Sequence, residues 1–105
     1  MARAGDQIGD YALLSFLGDG GMAEVFRARH VETGDEVALK VLLSHLARRD
    51  ELRTRFMQEA HIQQHLDHPH IVSVHEVIDT GEHLAMAMDL EVVEECAPGT
   101  MGRWV

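Results

Sequence analysis

Leu17-Gly18-Asp19-Gly20-Gly21-Met22-Ala23-Glu24-Val25 decides how this chain reads. Three of the nine glycines stand within four residues of it. An apolar run, residues 11–17, precedes the glycines, and a largely alternating run, residues 23–30, follows them. Ala23, Val25, Arg27 and Arg29 fall on one face of that second run; Glu24, Phe26, Ala28 and His30 fall on the other. The pattern predicts two strands joined by a glycine-dense turn. With no Cβ in the way, backbone N–H groups of such a turn can approach a phosphate chain.

Working outward, Glu32-Thr33-Gly34-Asp35 reads as a second turn. Glu36-Val37-Ala38-Leu39-Lys40-Val41-Leu42-Leu43 then reads as an apolar strand broken by one charge. Three strands joined by short turns form an antiparallel meander. Over residues 46–66 the period changes: Leu52, Phe56 and Ala60 recur at four-residue spacing, with Glu59, Ile62 and Leu66 on an adjoining stripe. This predicts a helix over residues 50–66, with Asp50 at its start. Arg48, Arg49, Arg53 and Arg55 are placed on its outer face. Pro69 ends it. Residues 71–78 and 83–88 are a fourth and a fifth strand around the turn Asp79-Thr80-Gly81-Glu82. The fold class is α+β: a five-stranded antiparallel sheet in the order β-β-β-α-β-β with one packed helix. Residues 1–10 read as a flexible lead-in, residues 11–90 as the folded lobe, and residues 91–105 as an irregular tail without a period.

Lys40 is the residue that asks for chemistry. A strand this apolar is covered on both faces, and an unpaired ammonium there costs several kcal/mol of desolvation. Lys40 therefore needs an anion, either a carboxylate or a phosphate. Glu59, between Phe56 and Ile62 on the helix, is the best protein partner. Ala38, Lys40 and Leu42 share a face, so a flat ligand can lie beside the small Ala38 while Lys40 reaches its anionic end.

These residues resemble the N-terminal lobe of a protein kinase, most closely the eukaryotic-like serine/threonine kinases of bacteria. The resemblance rests on the glycine stretch, Val37-Ala38-Leu39-Lys40, Arg55-Phe56-Met57-Gln58-Glu59-Ala60, His68-Pro69-His70-Ile71-Val72 and Met86-Ala87-Met88-Asp89-Leu90, and it covers about 80 of the 105 residues. It implies an ATP-binding lobe for transfer of phosphate from ATP to protein serine or threonine. Gly18, Asp19, Gly20, Gly21 and Met22 would lie over the phosphates. Leu17, Val25 and Ala38 would enclose the adenine. Lys40 would hold the α- and β-phosphates and pair with Glu59. Met88 would stand at the back of the adenine pocket, and Asp89, Leu90 and Glu91 would form the hinge. Ala23 departs from the pattern, which has a third glycine there, and alanine loses easy access to positive φ.

The kinase family places its catalytic base and Mg²⁺ ligands in a His-Arg-Asp loop and an Asp-Phe-Gly segment, and neither occurs in these 105 residues. The expectation is a truncated lobe, inactive by itself, with Mg²⁺ arriving only on ATP or from a second lobe. Two other readings stand beside this one. One is a non-catalytic module that binds another protein chain through the exposed lobe interface. The other is a metal-binding protein built on His61, His65, His68 and His70, although no inward carboxylate or cysteine completes that set. The glycine stretch does not open a helix, as a dinucleotide fingerprint must. Asp79-Thr80-Gly81 resembles the aspartic-protease triplet but is followed by Glu82, so it reads as a turn.

The formal net charge of −9 argues against a nucleic-acid or anionic-membrane partner. Cys96 is the single cysteine, so a reducing, cytoplasmic location is expected. It stands beside Glu94 and Glu95, surroundings that do not activate a thiol. No run of residues is long and apolar enough to predict a membrane span.

Overall fold

The computed structural model describes residues 3–19, 22–43, 45–65 and 74–90. They form β1 (Gln7–Ile8), β2 (Tyr11–Asp19), β3 (Ala23–His30), β4 (Glu36–Leu42), α1 (Asp50–His65), β5 (Val74–Asp79) and β6 (Leu84–Met88). The strands make one antiparallel sheet in the order β1-β2-β3-β4-β6-β5. The five expected strands and the helix are present, and the sheet has one strand more than expected. After α1 the chain passes beyond β4, and the β5–β6 hairpin returns so that β6 pairs with β4.

β4 lies in the middle of the sheet, and its residues from Val37 to Leu42 are all buried. Its side chains alternate between two cores. Ala38 and Leu42 join Ala23, Val25, Leu84, Met86 and Met88 beneath Phe56 and Ala60 of the helix. Val37, Leu39 and Val41 join Ile8, Tyr11, Leu13, Phe26, Ala28, Ala85 and Ala87 on the opposite face. Each large side chain buried this way contributes about 1.5–3 kcal/mol, which explains why the charge-free positions of β4 are uniformly apolar.

Among the described residues no helix lies over the second core; the sheet covers it by curling. The turn between β1 and β2 reaches β5, where Gly9 approaches Ile78 so closely that an added Cβ would lie 2.8 Å from Ile78 Cγ2. Next to this contact the Tyr11 hydroxyl donates to a Glu76 carboxylate oxygen at 2.6 Å. Strands near the two ends of the sheet therefore meet.

This closure is why residues 3–10 are not the flexible lead-in expected. The Gly5 N–H donates to the Leu13 carbonyl and the Leu13 N–H to the Asp6 carbonyl, each at 2.8 Å. Ile8 is 1% exposed. A two-residue strand is too short to show a period, so the segment carried no pattern that sequence reading could detect.

The β2–β3 ladder slips twice, between Leu13 and Ser15 and between Phe16 and Gly18. The second β-bulge sets both Leu17 and Gly18 opposite Val25 and turns Leu17 toward the first core. Phe16 stays on the other face, edge-on to Phe26 with ring centroids 5.6 Å apart. The outer arginines of β3 are answered by one carboxylate: Arg27 Nε donates to Glu36 at 2.6 Å, and Arg29 stands 3.7 Å from it.

Two outcomes follow from the closure. Gly9 has φ +56° in addition to its tight contact, whereas Gly34 has φ +79° in open space. Gly9→Ala therefore lowers unfolding stability in urea by about 2–4 kcal/mol and Gly34→Ala by only about 1–2. Burial, and after it the hydrogen bond and charge of Glu76, push the Tyr11 phenol up from its ordinary value of 10.0. The fold thus favours the protonated phenol. The stability this contributes is complete below about pH 10 and falls as pH rises above it, by about 1.4 kcal/mol per unit until the folded phenol itself ionises. Denaturation of wild type and Tyr11→Phe across pH 8.5–11 (about one unit either side of the ordinary value) shows that slope in the wild type only.

Candidate functional site

Lys40 occupies the centre of the sheet because its register is fixed on both sides. It lies opposite Val25 on β3 and opposite Met86 on β6. Its side chain points to the face that carries the helix, and it is 5% exposed, the one buried charged residue among those described. Phe56 and Ala60 anchor α1 to that face, at 6% and 0% exposure. Glu59 stands between them in sequence and at the edge of the same stripe. The expected pair forms: Lys40 Nζ donates to Glu59 Oε1 at 3.4 Å.

This pair is lopsided. The Lys40 side chain is 6% exposed, but that of Glu59 is 42% exposed. A charge-assisted hydrogen bond is normally about 2.7–2.9 Å long, so 3.4 Å is a loose contact. The ammonium has three donors and uses one of them on the described residues, in that contact. Beside it opens a cavity of about 270 Å³ lined by Met22, Ala23, Lys40, Leu42, Leu52, Arg55, Phe56 and Glu59. Pockets for whole drug-sized ligands run to about 300–1,000 Å³, so this space fits one end of a ligand. Two cationic side chains, one buried and one at the surface, suit an anionic end.

The structure brings together the residues proposed for the other end. Val25, Ala38 and Met88 share one buried cluster, with Leu17, Met22 and Leu90 packed against it. Ala38 is opposite Met88 in the β4–β6 ladder, and Gly18 is opposite Val25. Asp19 is exposed at the end of β2, and Asp89 and Leu90 are half-buried just after β6. Gly20, Gly21 and Glu91 lie outside the described residues. The apolar group is packed shut, however: Val25 and Ala38 are 0% exposed and Met88 3%. Of the expected binding residues, the cavity reaches Met22, Ala23, Lys40 and Glu59.

Ala23 proves harmless to the backbone. Among the described residues every positive φ belongs to a glycine, so position 23 does not need the conformation that alanine lacks. It pairs with Leu42, and the neighbouring Met22 carbonyl accepts the Leu43 N–H at 3.0 Å. The returning limb of the glycine stretch is thereby tied to the end of β4.

Sequence reading missed two arginines. Arg55, assigned to the outer face, lines the cavity; it precedes Glu59 by four residues, the spacing that would have found it. Arg53, assigned to the same face, is three-quarters buried. Ile62, expected beside Glu59 on the adjoining stripe, is instead 55% exposed. Of the histidine series, His61 is exposed on α1, while the His65 side chain, His68 and His70 lie outside the described residues, as does Cys96. No group of three or more His, Cys, Asp or Glu among the described residues could hold a metal ion. Asp79-Thr80-Gly81 is a turn, with the Gly81 N–H donating to Asp79 Oδ1 at 2.9 Å.

The lopsided pair makes a stability prediction. Replacing a buried charge by an apolar group of similar shape is often neutral or stabilising, whereas removing only its partner is costly. Lys40→Met leaves unfolding stability unchanged or raises it by about 1 kcal/mol. Glu59→Leu, which strands the ammonium, lowers it by about 1–3 kcal/mol, the range being held down by the exposure of the carboxylate. Chemical denaturation of the two variants checks the opposite signs.

Comparison with known proteins accords with this architecture. The family model described as "Protein kinase domain" matches residues 11–98. A probable serine/threonine-protein kinase of Streptomyces coelicolor is 46% identical over 74 residues, covering 70% of this chain and 10% of that protein. The serine/threonine-protein kinase PknJ of Mycobacterium tuberculosis is 42% identical over 73 residues, covering 70% of this chain and 12% of that protein. The solved PknI kinase domain of Mycobacterium tuberculosis superposes with a TM-score of 0.66 at 35% identity, over 85% of this chain and 36% of that one. The chain thus spans about a tenth of the length of these two curated relatives and about a third of that solved domain. Among the described residues no helix is long and apolar enough to cross a membrane. With the family model matched over most of its length and the curled sheet and single helix of an N-terminal lobe, the chain belongs to the protein kinase family, among its serine/threonine kinases.

Proposed function

We propose that residues 11–90 are an ATP-binding lobe in which Lys40 holds the α- and β-phosphates and Glu59 holds Lys40. The observation that carries this reading is the buried ammonium with one loose contact, beside a cavity lined by a second cation. Gly18, Asp19, Gly20, Gly21, Met22 and Ala23 then lie along the phosphates. Leu17, Val25, Ala38 and Met88 take the adenine, whose edge is read by the backbone of Asp89 and Leu90. Because Val25 and Ala38 are covered in this structure, adenine enters only when side chains packed against their cluster, Leu17 and Leu90 among them, give way. Apparent affinity is reduced by the fraction of molecules in the open state.

As the family resemblance implies, Mg²⁺ arrives with ATP or is held by a second lobe. ATP supplies the transferable phosphoryl group; the residues of this lobe position it and neutralise its charge. The family reaction, phosphorylation of protein serine or threonine, also needs a base for the acceptor hydroxyl. These 105 residues hold no His-Arg-Asp or Asp-Phe-Gly segment, so this chain by itself binds nucleotide without transferring phosphate. The single cysteine suits the cytoplasm.

Calorimetric titration with Mg-ATP tests the reading: the wild type binds weakly, and Lys40→Met weakens binding at least about tenfold, the loss of one charge-assisted contact. Equal binding by both proteins overturns the role of Lys40. Transfer of labelled γ-phosphate to a basic protein above the Lys40→Met background overturns the claim of inactivity. The closed adenine face favours a second reading, a kinase-like lobe that acts by binding another chain. Concentration-dependent association without nucleotide binding would carry that alternative.

A further inference from the structure

The position of α1 decides whether Glu59 meets Lys40, yet the helix has a narrow footing. Phe56 and Ala60 are its buried side chains among those described, while Met57 and Ile62 are 43% and 55% exposed. Two buried side chains on one stripe, with Leu52 half-buried beside them, give the helix little apolar resistance to a roll about its own axis.

Arg53 opposes that roll. At about 100° per residue, Phe56 and Ala60 lie between Glu59 on one side and Arg53 on the other. Glu59 and Arg53 are thus about 120° apart around the axis, and they flank the buried stripe. Glu59 reaches the sheet at Lys40. Arg53 reaches it at the far end of β5, where Nη2 donates to Asp79 Oδ2 at 2.6 Å. Its Nη1 donates to the Ala47 carbonyl at 3.1 Å, and Ala47 is buried in the core beneath the helix. One planar guanidinium thus joins the helix, the turn before it and the β5–β6 turn.

The receiving carboxylate is itself fixed. Asp79 Oδ1 accepts the Gly81 N–H at 2.9 Å, so Oδ2 is left to face Arg53. The turn is closed by the Thr80 N–H donating to the His83 carbonyl and the His83 N–H donating to Thr80 Oγ1, both at 3.0 Å. Gly81 has φ +89°, which suits glycine. Compared with the 3.4 Å contact at Lys40, the Arg53–Asp79 contact is the tighter of the two ion pairs that hold the helix to the sheet among the described residues.

We infer that Arg53 is the positioning residue of the Lys40–Glu59 pair: its clasp on Asp79 and Ala47 sets the roll of α1 and so presents Glu59 to Lys40. The consequence for nucleotide rests on the function proposed above; the geometric part does not.

The test uses the full chain and a triple-mutant box. Lys40→Met and Glu59→Gln are combined in the wild type and again in Arg53→Met, and unfolding constants are measured. In the wild type the two effects depart from simple multiplication by about fivefold, as contacting residues do. In Arg53→Met the departure shrinks below about twofold. Amides of residues 56–65 exchange at least several-fold faster in that variant, while those of β3 and β4 hold their rates relative to global unfolding. Arg53→Lys, which cannot reach Asp79 and the Ala47 carbonyl together, falls between. Asp79→Asn, which keeps an acceptor for Gly81, repeats the effect should Arg53→Met fail to fold. An unchanged coupling factor, with helix and sheet losing protection alike, overturns the inference and leaves Arg53 as ordinary packing. If the coupling collapses but the wild type binds no Mg-ATP, the clasp stands and the nucleotide reading fails. If both hold, the Mg-ATP dissociation constant rises several-fold in Arg53→Met.

Discussion

An ammonium in the middle of a closed sheet has to be answered, and most of this lobe is arranged around where the answer comes from. Lys40 has little access to water from the central strand: β3 and β6 flank it, the helix lies over its face, and its side chain is 6% exposed at the cavity it lines. Its one carboxylate partner among the described residues is on that helix and stays half in solvent. The sheet therefore fixes the cation, while the helix brings or withholds the anion. Any force on α1 is felt at Lys40, because nothing else described on that face carries a compensating charge to it.

The two faces of the sheet differ in how firmly they are held. On one, the curl locks itself: Gly9 against Ile78, Tyr11 to Glu76, and a core of Phe26, Leu39 and Leu13 with almost no exposed surface. On the other, a helix rests on Phe56 and Ala60 and is steadied by polar contacts at the edges of that stripe. Apolar burial does not depend on direction, whereas an ion pair is strong only over a narrow range of geometry. A platform built by the first and a helix steadied by the second combine a rigid site with a movable partner.

How much of this was legible in the sequence depends on the range of the signal. The five longer strands and the helix were, because alternation and four-residue spacing are local. Lys40 was, because one charge interrupts an apolar strand, and Glu59 was, because a carboxylate lies at the edge of a helix stripe. The curl was not: it depends on Gly9 meeting Ile78 and on two bulges in β2, and neither leaves a periodic trace. The inward turn of Leu17 follows from one of those bulges. Arg53 was misread for a related reason. An arginine at the margin of a helix stripe looks solvated until its partner is known, and that partner is in a turn 26 residues further along the chain. The closed state of Val25 and Ala38 is likewise a property of packing, invisible to residue type.

The economics of the central pair bear on why the lysine is there. A residue serving structure alone would be better as methionine, which fills the same space without desolvating a charge. Here the ammonium is almost fully buried, while its carboxylate is half-exposed and 3.4 Å away, an arrangement in which neither the Coulombic attraction nor the hydrogen bond is strong. Local rules of packing are broken at this position and kept at its neighbours Leu39 and Val41, which are buried among apolar side chains. Such an isolated breach is expected where a site is held ready for a ligand. On the function proposed above, the cavity that Lys40 and Arg55 line is where the anionic end of a ligand would relieve the ammonium.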